Sequence, residues 1–169
     1  MGPKVSYPQG RMLIQANVKR VQMRFVDLAK SHVRECLREG FELPSLMVDD
    51  DGDVPFSHGT ARYYVTVRQD GLKVKAWATA VYGVKPSAAV LREINEVNAG
   101  LQFSRAFIVQ ERLMIEGVLP IDGLTATDLR DLCVEIGSVA DEVGQMISAV
   151  HGGVVAVPEG EDGCDHCAS

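Results

Sequence analysis

The chain has 169 residues, of which 46% are hydrophobic and 24% are charged, and its formal net charge is −6. This length and composition are those of one globular domain with a buried core, and they exclude a disordered or disulfide-built protein. The acidic balance argues against a general nucleic-acid binder. No apolar run approaches the roughly 20 residues that span a bilayer, and the first residues lack the apolar segment of a signal peptide. We therefore expect a cytoplasmic protein with no membrane partner.

An amphipathic helix is the first predicted element. Apolar residues recur with a helical period between Val18 and Leu37, as in a helix that buries one side. Asn17 is predicted as its N-cap, and Gly40 as its stop, at a position that favours a positive φ. Residues 1–39 carry eight Lys and Arg against three acidic residues. We interpret this excess as the solvated side of the helix, with a docking face for an acidic partner as the alternative.

Three strand signals follow the helix. The first lies around Leu46–Val48 and leads into an acidic stretch, Asp49–Asp53, which is typical of a turn and lacks the spacing of a calcium-binding loop. The other two are Arg62–Arg68 and Leu72–Val81. They flank Asp70-Gly71, a dipeptide typical of a two-residue hairpin loop.

This hairpin loop fixes which residues face each other across the two strands. We predict that one face carries a row of alanines at positions 76, 78 and 80, which leaves room for a helix to approach closely. On the other, more polar face Tyr64 is expected opposite Trp77, the single tryptophan of the chain. The predicted pairs are Gln69–Leu72, Arg68–Lys73, Val67–Val74, Thr66–Lys75, Val65–Ala76, Tyr64–Trp77 and Tyr63–Ala78.

The second half of the chain continues the alternation of helices and strands. A short helix, Pro86–Asn98, precedes the strands Phe103–Val109 and Leu113–Leu119, and a long amphipathic helix, Thr125–Val150, follows them. Thr125 and Asp128 form an approximate capping box at the start of the long helix, whose predicted buried stripe runs from Leu129 to Val150.

The order of elements, α-β-β-β-α-β-β-α, predicts an α+β fold in which a two-layer arrangement packs helices on an antiparallel sheet. We expect a single domain over residues 17–151. A flexible N-terminus, residues 1–16, and a flexible acidic tail with two cysteines, residues 152–169, are expected on either side of it.

The second pair of strands carries more apolar residues than a sheet with one solvated face needs. With Glu111-Arg112 as its loop, Ile108 would face Ile115 on the core side. The opposite side would carry Phe103, Phe107, Val109, Met114 and Val118. This excess requires a cover, which is a second subunit, a bound peptide or the helix Pro86–Asn98. The candidate peptide-binding or dimer face consists of Tyr64, Trp77, Phe107, Val109, Met114 and Val118.

A homodimer is expected for a second reason. The short helix carries a narrow apolar stripe, which we take as its candidate dimer contact: Val90, Leu91, Ile94 and Val97.

The search for chemistry finds no phosphate-binding loop, metalloprotease motif or nucleophile elbow. The adjacent Ser57 and His58 do not make a nucleophile–base pair, because neighbours on a strand point to opposite sides. We therefore expect that the protein is not an enzyme and that it has no catalytic residue and no cofactor. Cys164 and Cys167, with His166 between them, are weak candidates for a metal or redox site near the C-terminus, and no metal site is predicted from them.

Four phrases of the sequence follow each other in this order: VDDDGDVPF (48–56), YYVTVRQDGLKVKAWA (63–78), LREINEVNAGLQFSRAFI (91–108) and LMIEGVLPIDGLTATDLRDLCVEIGSVADEV (113–143). In this order they resemble the YbjN-like and type III secretion chaperone-like superfamily, most strongly actinobacterial YbjN-domain proteins described as peptide-binding chaperones. The resemblance covers Val18 to Val150. It implies a dimeric α+β domain that holds client segments by surface contact, without cofactor or turnover.

These observations together predict a non-enzymatic homodimeric module that binds a peptide or protein client, and neither nucleic acid nor membrane. The alternative is a regulatory protein that responds to a metal or to redox state through Cys164 and Cys167.

Overall fold

The computed structural model describes residues 8–156, with side chains described at Gln15 and from Val18 onward. The elements in chain order are α1 (Pro8–Gly40), β1 (Val54–His58), β2 (Ala61–Val67), β3 (Lys73–Tyr82), α2 (Ala88–Gly100), β4 (Ser104–Val109), β5 (Arg112–Pro120), α3 (Ala126–His151) and β6 (Val154–Val155). The predicted α+β order is confirmed, with the short β6 added after the last helix. Among the helices of this part of the chain, none has the length and apolarity that crossing a bilayer requires.

The strands form one antiparallel sheet in the order β1-β2-β3-β5-β4, and β6 pairs with the end of β3. The register that Asp70-Gly71 predicts for β2 and β3 is confirmed at the five pairs from Val67–Val74 to Tyr63–Ala78, including Tyr64 opposite Trp77. Gly71 adopts a φ of 68°, and the amide N–H of Leu72 donates to Oδ1 of Asp70 at 3.0 Å. The loop residues therefore supply the conformation that aligns the two strands.

Helix α3 packs on one side of the sheet, which we call the core face. The capping box of Thr125 and Asp128 is present at its start. Its predicted stripe is buried from Leu129 to Ile147, whereas Val150 is exposed and its assignment to the core was wrong. The helix approaches closely because the facing residues are small. A Cβ on Gly144 would lie 3.1 Å from the carbonyl oxygen of Ala80, in the predicted row of alanines.

Helix α1 differs from its prediction at both ends. It begins at Pro8 and runs through Asn17, so Asn17 is not an N-cap. It ends at Gly40 as predicted, but for another reason, because the φ of Gly40 lies outside the left-handed region. A Cβ at this position would lie 2.8 Å from the carbonyl oxygen of Ala126, so the glycine is needed where α1 crosses the start of α3.

Two other local predictions were wrong. Leu46–Val48 is not a strand, and the first strand begins after the acidic turn, where Val54 and Phe56 are buried. The turn itself is confirmed, since the amide N–H of Asp53 donates to Oδ1 of Asp49 at 2.7 Å.

The loop between β4 and β5 is also displaced from its predicted position. It is Gln110-Glu111, with φ values of 50° and 56°, and it pairs Ile108 with Leu113 rather than Ile115. Both loop residues adopt the positive φ that a tight hairpin requires. The loop is displaced by one residue, which shifts the pairing by two residues, so each side chain keeps its predicted face.

Candidate functional site

The sheet surface opposite α3, which we call the outer face, carries the predicted candidate residues. One row crosses four strands directly, from Tyr64 on β2 through Trp77 and Glu116 to Arg105 on β4. The rings of Tyr64 and Trp77 stack with their centroids 5.0 Å apart and their planes 24° apart. The two aromatic side chains thus form one flat, half-buried platform in the middle of the sheet.

A second row extends this platform towards the edge of the sheet. Thr79, Met114 and Phe107 lie opposite each other on β3, β5 and β4. The hydroxyl of Thr79 lies 3.2 Å from Sδ of Met114. These side chains are half-buried in the chain as it stands. We call the four apolar members of the two rows the apolar band: Tyr64, Trp77, Met114 and Phe107.

Cationic side chains lie over the rings of the outer face. The guanidinium of Arg62 lies 5.4 Å from the ring centre of Tyr64, Nζ of Lys75 lies 5.4 Å from that of Trp77, and the guanidinium of Arg105 lies 5.3 Å from that of Phe107. A cation at this distance is attracted by the negative face of the ring. The face therefore combines apolar area with positive charge.

Glu116 is the carboxylate at the centre of this surface. Its oxygens pair with Nζ of Lys75 at 3.6 Å and with the guanidinium of Arg105. Glu116 also lines a cavity of about 320 Å³, which we call the basic cavity because three cations line it as well: Arg68, Lys73 and Arg105. Phe103 and Val118 form its apolar wall.

The predicted site residues divide into two groups in the structure. The six predicted residues of the outer face lie together there, with Val109 and Val118 exposed at its margin. The predicted stripe of helix α2 is split, because Val90 and Ile94 are buried in the core of the same chain. Leu91 is 51% exposed. Helix α2 therefore packs on the core side and does not cover the outer face. Of the three predicted covers, a second subunit and a bound peptide remain.

The connection between α2 and β4 is held by Glu135, a half-buried residue of α3. The carboxylate of Glu135 on α3 accepts the amide N–H groups of Gln102, Phe103 and Ser104 at 2.8–3.0 Å, and also the hydroxyl of Ser104. Burial acts to raise the pKa of Glu135, but these hydrogen bonds outweigh it and the pKa is lowered. No local signal marks this role, because the partners lie more than 30 residues away.

Asn98 closes the outer edge of the sheet in a similar way. Its side chain accepts the amide N–H of Ala106 at 2.7 Å and donates to the carbonyl of the same residue at 3.0 Å. The amide thus occupies the position of a neighbouring strand at the edge strand β4, where unpaired backbone groups would otherwise be open to another chain.

His58 lies near two polar residues of α3, Ser138 and Asp141, and these three residues stabilise a turn. Its Nε2 is 3.3 Å from Oγ of Ser138. Asp141 is engaged by Thr60, whose hydroxyl and amide N–H both donate to its carboxylate, and these bonds are the main reason why its pKa is lowered. The three residues therefore fix the loop between β1 and β2.

No group of three or more His, Cys, Asp or Glu in residues 8–156 is arranged to hold a metal ion. The candidates Cys164, His166 and Cys167 lie outside the described residues. The other two cysteines, Cys36 and Cys133, are buried, and burial raises the pKa of the Cys36 thiol.

Three solved structures share the fold. The crystal structure of the ExsC–ExsE complex matches with a TM-score of 0.54 at 13% identity, over 69% of this chain and 94% of that one. The Yersinia pestis type III secretion chaperone SycH, in complex with a stable fragment of YscM2, matches with a TM-score of 0.52 at 14% identity, over 66% and 96%. The HopA1–SchA chaperone–effector complex matches with a TM-score of 0.52 at 11% identity, over 67% and 93%.

A search of curated protein sequences finds no match. A family profile does match, over residues 27–159, and it is that of TY-Chap1, the T3SS (YopN, CesT) and YbjN peptide-binding chaperone 1. This range contains every strand of the sheet and both helices that follow β3. The resemblance inferred from the sequence is thereby confirmed, and the chain belongs to the TY-Chap1 family of peptide-binding chaperones.

Proposed function

We propose that this chain is a non-enzymatic, cytoplasmic homodimer that holds an extended segment of a client protein on its outer face. The observation that carries the proposal is the apolar band, whose four members lie side by side on the sheet surface that no helix of residues 18–156 covers. Aromatic rings offer a large contact area at a low cost in side-chain entropy, which suits recognition of a peptide.

Membership of the family supports a peptide as the client, and the geometry supports the outer face as its binding site. Helices α1, α2 and α3 all contribute buried side chains to the core, so the outer face is the broad apolar surface left to a ligand. Side chains on this face follow the two-residue period of the strands, and an extended client segment has the same period. Alternate client side chains would therefore contact the band.

The homodimer is proposed to form through helix α1. Four apolar residues, Val18, Val21, Phe25 and Leu28, follow each other at spacings of three, four and three, and they are 46–68% exposed. We call them the α1 seam. This spacing is that of a coiled-coil contact, in which a second copy of the same stripe supplies the matching side chains. A groove of about 540 Å³ runs between the seam and Leu72, which gives an incoming side chain a place to pack.

Trp77 reports directly on the proposed client site, because it is the single tryptophan of the chain. A labelled apolar peptide without aromatic residues is titrated against the protein, and the emission of Trp77 is recorded beside the anisotropy of the label. Binding on the outer face should bury the half-exposed indole and shift its emission to shorter wavelength along the same binding curve. A peptide that binds without any change in Trp77 emission would place the client elsewhere.

A further inference from the structure

Positive charge is concentrated on the outer face of a protein whose net charge is −6. By the register of the strands, this face and its margin carry six Lys and Arg side chains: Arg62, Arg68, Lys73, Lys75, Arg105 and Arg112. They face two carboxylates, Glu116 at the centre and Asp70 in the hairpin loop, 4.0 Å from Arg68. The local excess of positive charge is thus opposite in sign to the charge of the whole chain.

The cations of the outer face differ in the ion pairs that they form. Lys75 and Arg105 share Glu116, as described above. Lys73 makes no ion pair within the described part of the chain, and Arg68 reaches Asp70 only at the limit of such a contact. Both line the basic cavity beside the apolar band. Three cations against one carboxylate, Glu116, leave the lining of the cavity with an excess of positive charge.

We propose that the client segment recognised by this face is acidic as well as apolar, and that its carboxylates enter the basic cavity. This inference rests on the proposed function and specifies the chemistry of the client. Trp77 and Lys73 are four residues apart on β3, so they lie about 13 Å apart along the strand. An extended client would accordingly carry an Asp or Glu about four residues from the apolar side chain that contacts the band.

A single-stranded nucleic acid is the other ligand that pairs aromatic rings with cations. One feature favours the acidic peptide. Tyr64 and Trp77 stack on each other, so they present one joint surface and not two separate faces between which bases would insert.

The test compares three labelled peptides that differ at a single position. This position lies four residues from the apolar residue that contacts the band, and it is Glu, Gln or Lys. Full-length protein is titrated with each peptide and with oligouridylate, and fluorescence anisotropy gives the affinities. We expect the Glu peptide to bind about 10-fold more tightly than the Gln peptide at low salt, and this ratio to shrink as added salt screens the charges.

Matched variants locate the effect. Arg68→Gln/Lys73→Gln should remove the preference for Glu while the Gln peptide binds as before. Arg92→Gln/Arg130→Gln removes the same charge from exposed positions on helices α2 and α3 and should keep the preference. Each variant is checked by its unfolding midpoint.

The outcomes separate this inference from the proposed function. Equal binding of the Glu and Gln peptides would overturn the acidic client and leave the outer face as a peptide site. Binding of none of the peptides would overturn both. Tighter binding of oligouridylate than of the Glu peptide would also overturn the inference, as would loss of the preference in the Arg92→Gln/Arg130→Gln variant.

Discussion

Single side chains of helix α3 hold loops that are distant in sequence. Glu135 gathers three consecutive amide groups at the start of β4, and Asp141 holds the Gly59-Thr60 turn between β1 and β2. Each carboxylate replaces water at backbone donors that would otherwise be unsatisfied. Glu135 also determines where Phe103 lies, and Phe103 forms part of the wall of the basic cavity. Its role is therefore structural, and it bears on the candidate site.

Glu135→Gln should make the protein less stable in a way that depends on pH. The pKa of Glu135 is lowered in the folded state, so its contribution is present above the pKa of an unfolded Glu, about 4.3, and is lost as the pH falls through the folded value. We expect the variant to lose about 1–3 kcal/mol of unfolding free energy at neutral pH, because charged hydrogen bonds are removed. The difference from wild type should shrink as the solution is acidified. Urea unfolding across this range measures it.

Glu142→Gln is the control, because Glu142 is exposed on the same helix. It should change stability by less than about 0.5 kcal/mol, as surface substitutions usually do. A loss in Glu135→Gln that is the same at neutral and acidic pH, or no larger than that of the control, would contradict the assignment.

Residue roles were predictable from the sequence where the partners are close along the chain. The capping box of Thr125 and Asp128 was predicted because its two residues are three apart. The roles of Glu135 and Asn98 were missed, since the groups they bind become neighbours only when the chain folds. For the same reason the sequence could place Trp77 opposite Tyr64 across a two-residue loop, but not opposite Glu116 on β5.

At the scale of elements, local signals decided which boundaries were predicted correctly. Asp70-Gly71 is a strong turn signal, and it gave the register of β2 and β3 without error. Gln110-Glu111 adopts positive φ although it contains neither glycine nor asparagine, so the second hairpin loop was misplaced by one residue and the strand pairing by two. The start of α1 was also missed, and none of its described residues from Val18 to Leu28 is buried.

The α1 seam is where the proposed homodimer is tested. Leu28→Glu places a charge at the C-terminal end of this apolar contact, so we expect it to weaken association by about 2 kcal/mol or more. Leu91→Glu on helix α2 is the matched variant. Leu91 is also exposed, but Val90 and Ile94 of the same helix are buried in the core. It should remain dimeric. Sedimentation equilibrium at tens of micromolar measures both.

The converse result, a monomeric Leu91→Glu beside a dimeric Leu28→Glu, would transfer the interface to helix α2. A wild-type chain that is monomeric at these concentrations would remove the homodimer altogether. Unfolding midpoints close to that of wild type show that each variant is folded when its association is measured.

At the scale of the whole molecule, the described residues leave two apolar surfaces without a partner, and they lie on different elements. The core is filled from one side of the sheet by all three helices. The outer face and the α1 seam remain, and we assign the first to the client and the second to another copy of the chain. This division lets one protein hold a client without giving up its dimer contact.

The fold and the residues of the candidate face were predictable, because the alternation of side chains along each strand determines which face they occupy. The error in the second loop shifted the pairing by two residues and left this alternation unchanged. The positions of Arg68, Lys73 and Lys75 on this face follow from the same alternation, but the contacts of its charged side chains were not predictable. The contacts of Arg62, Lys75 and Arg105 with aromatic rings depend on which strands are neighbours, and the order β1-β2-β3-β5-β4 is not contained in any short stretch of sequence.

The most direct test of the central claim is the loss of peptide-binding free energy in Trp77→Ala, measured by titration calorimetry. A recognition surface predicts a loss of more than about 1 kcal/mol, with stability in urea nearly unchanged because the indole is only half-buried. Leu91→Ala, at an exposed apolar residue on helix α2 away from the outer face, should bind as wild type does. A Trp77→Ala protein that binds the peptide normally, or that loses about 3–5 kcal/mol of stability as a buried aromatic would, contradicts the account.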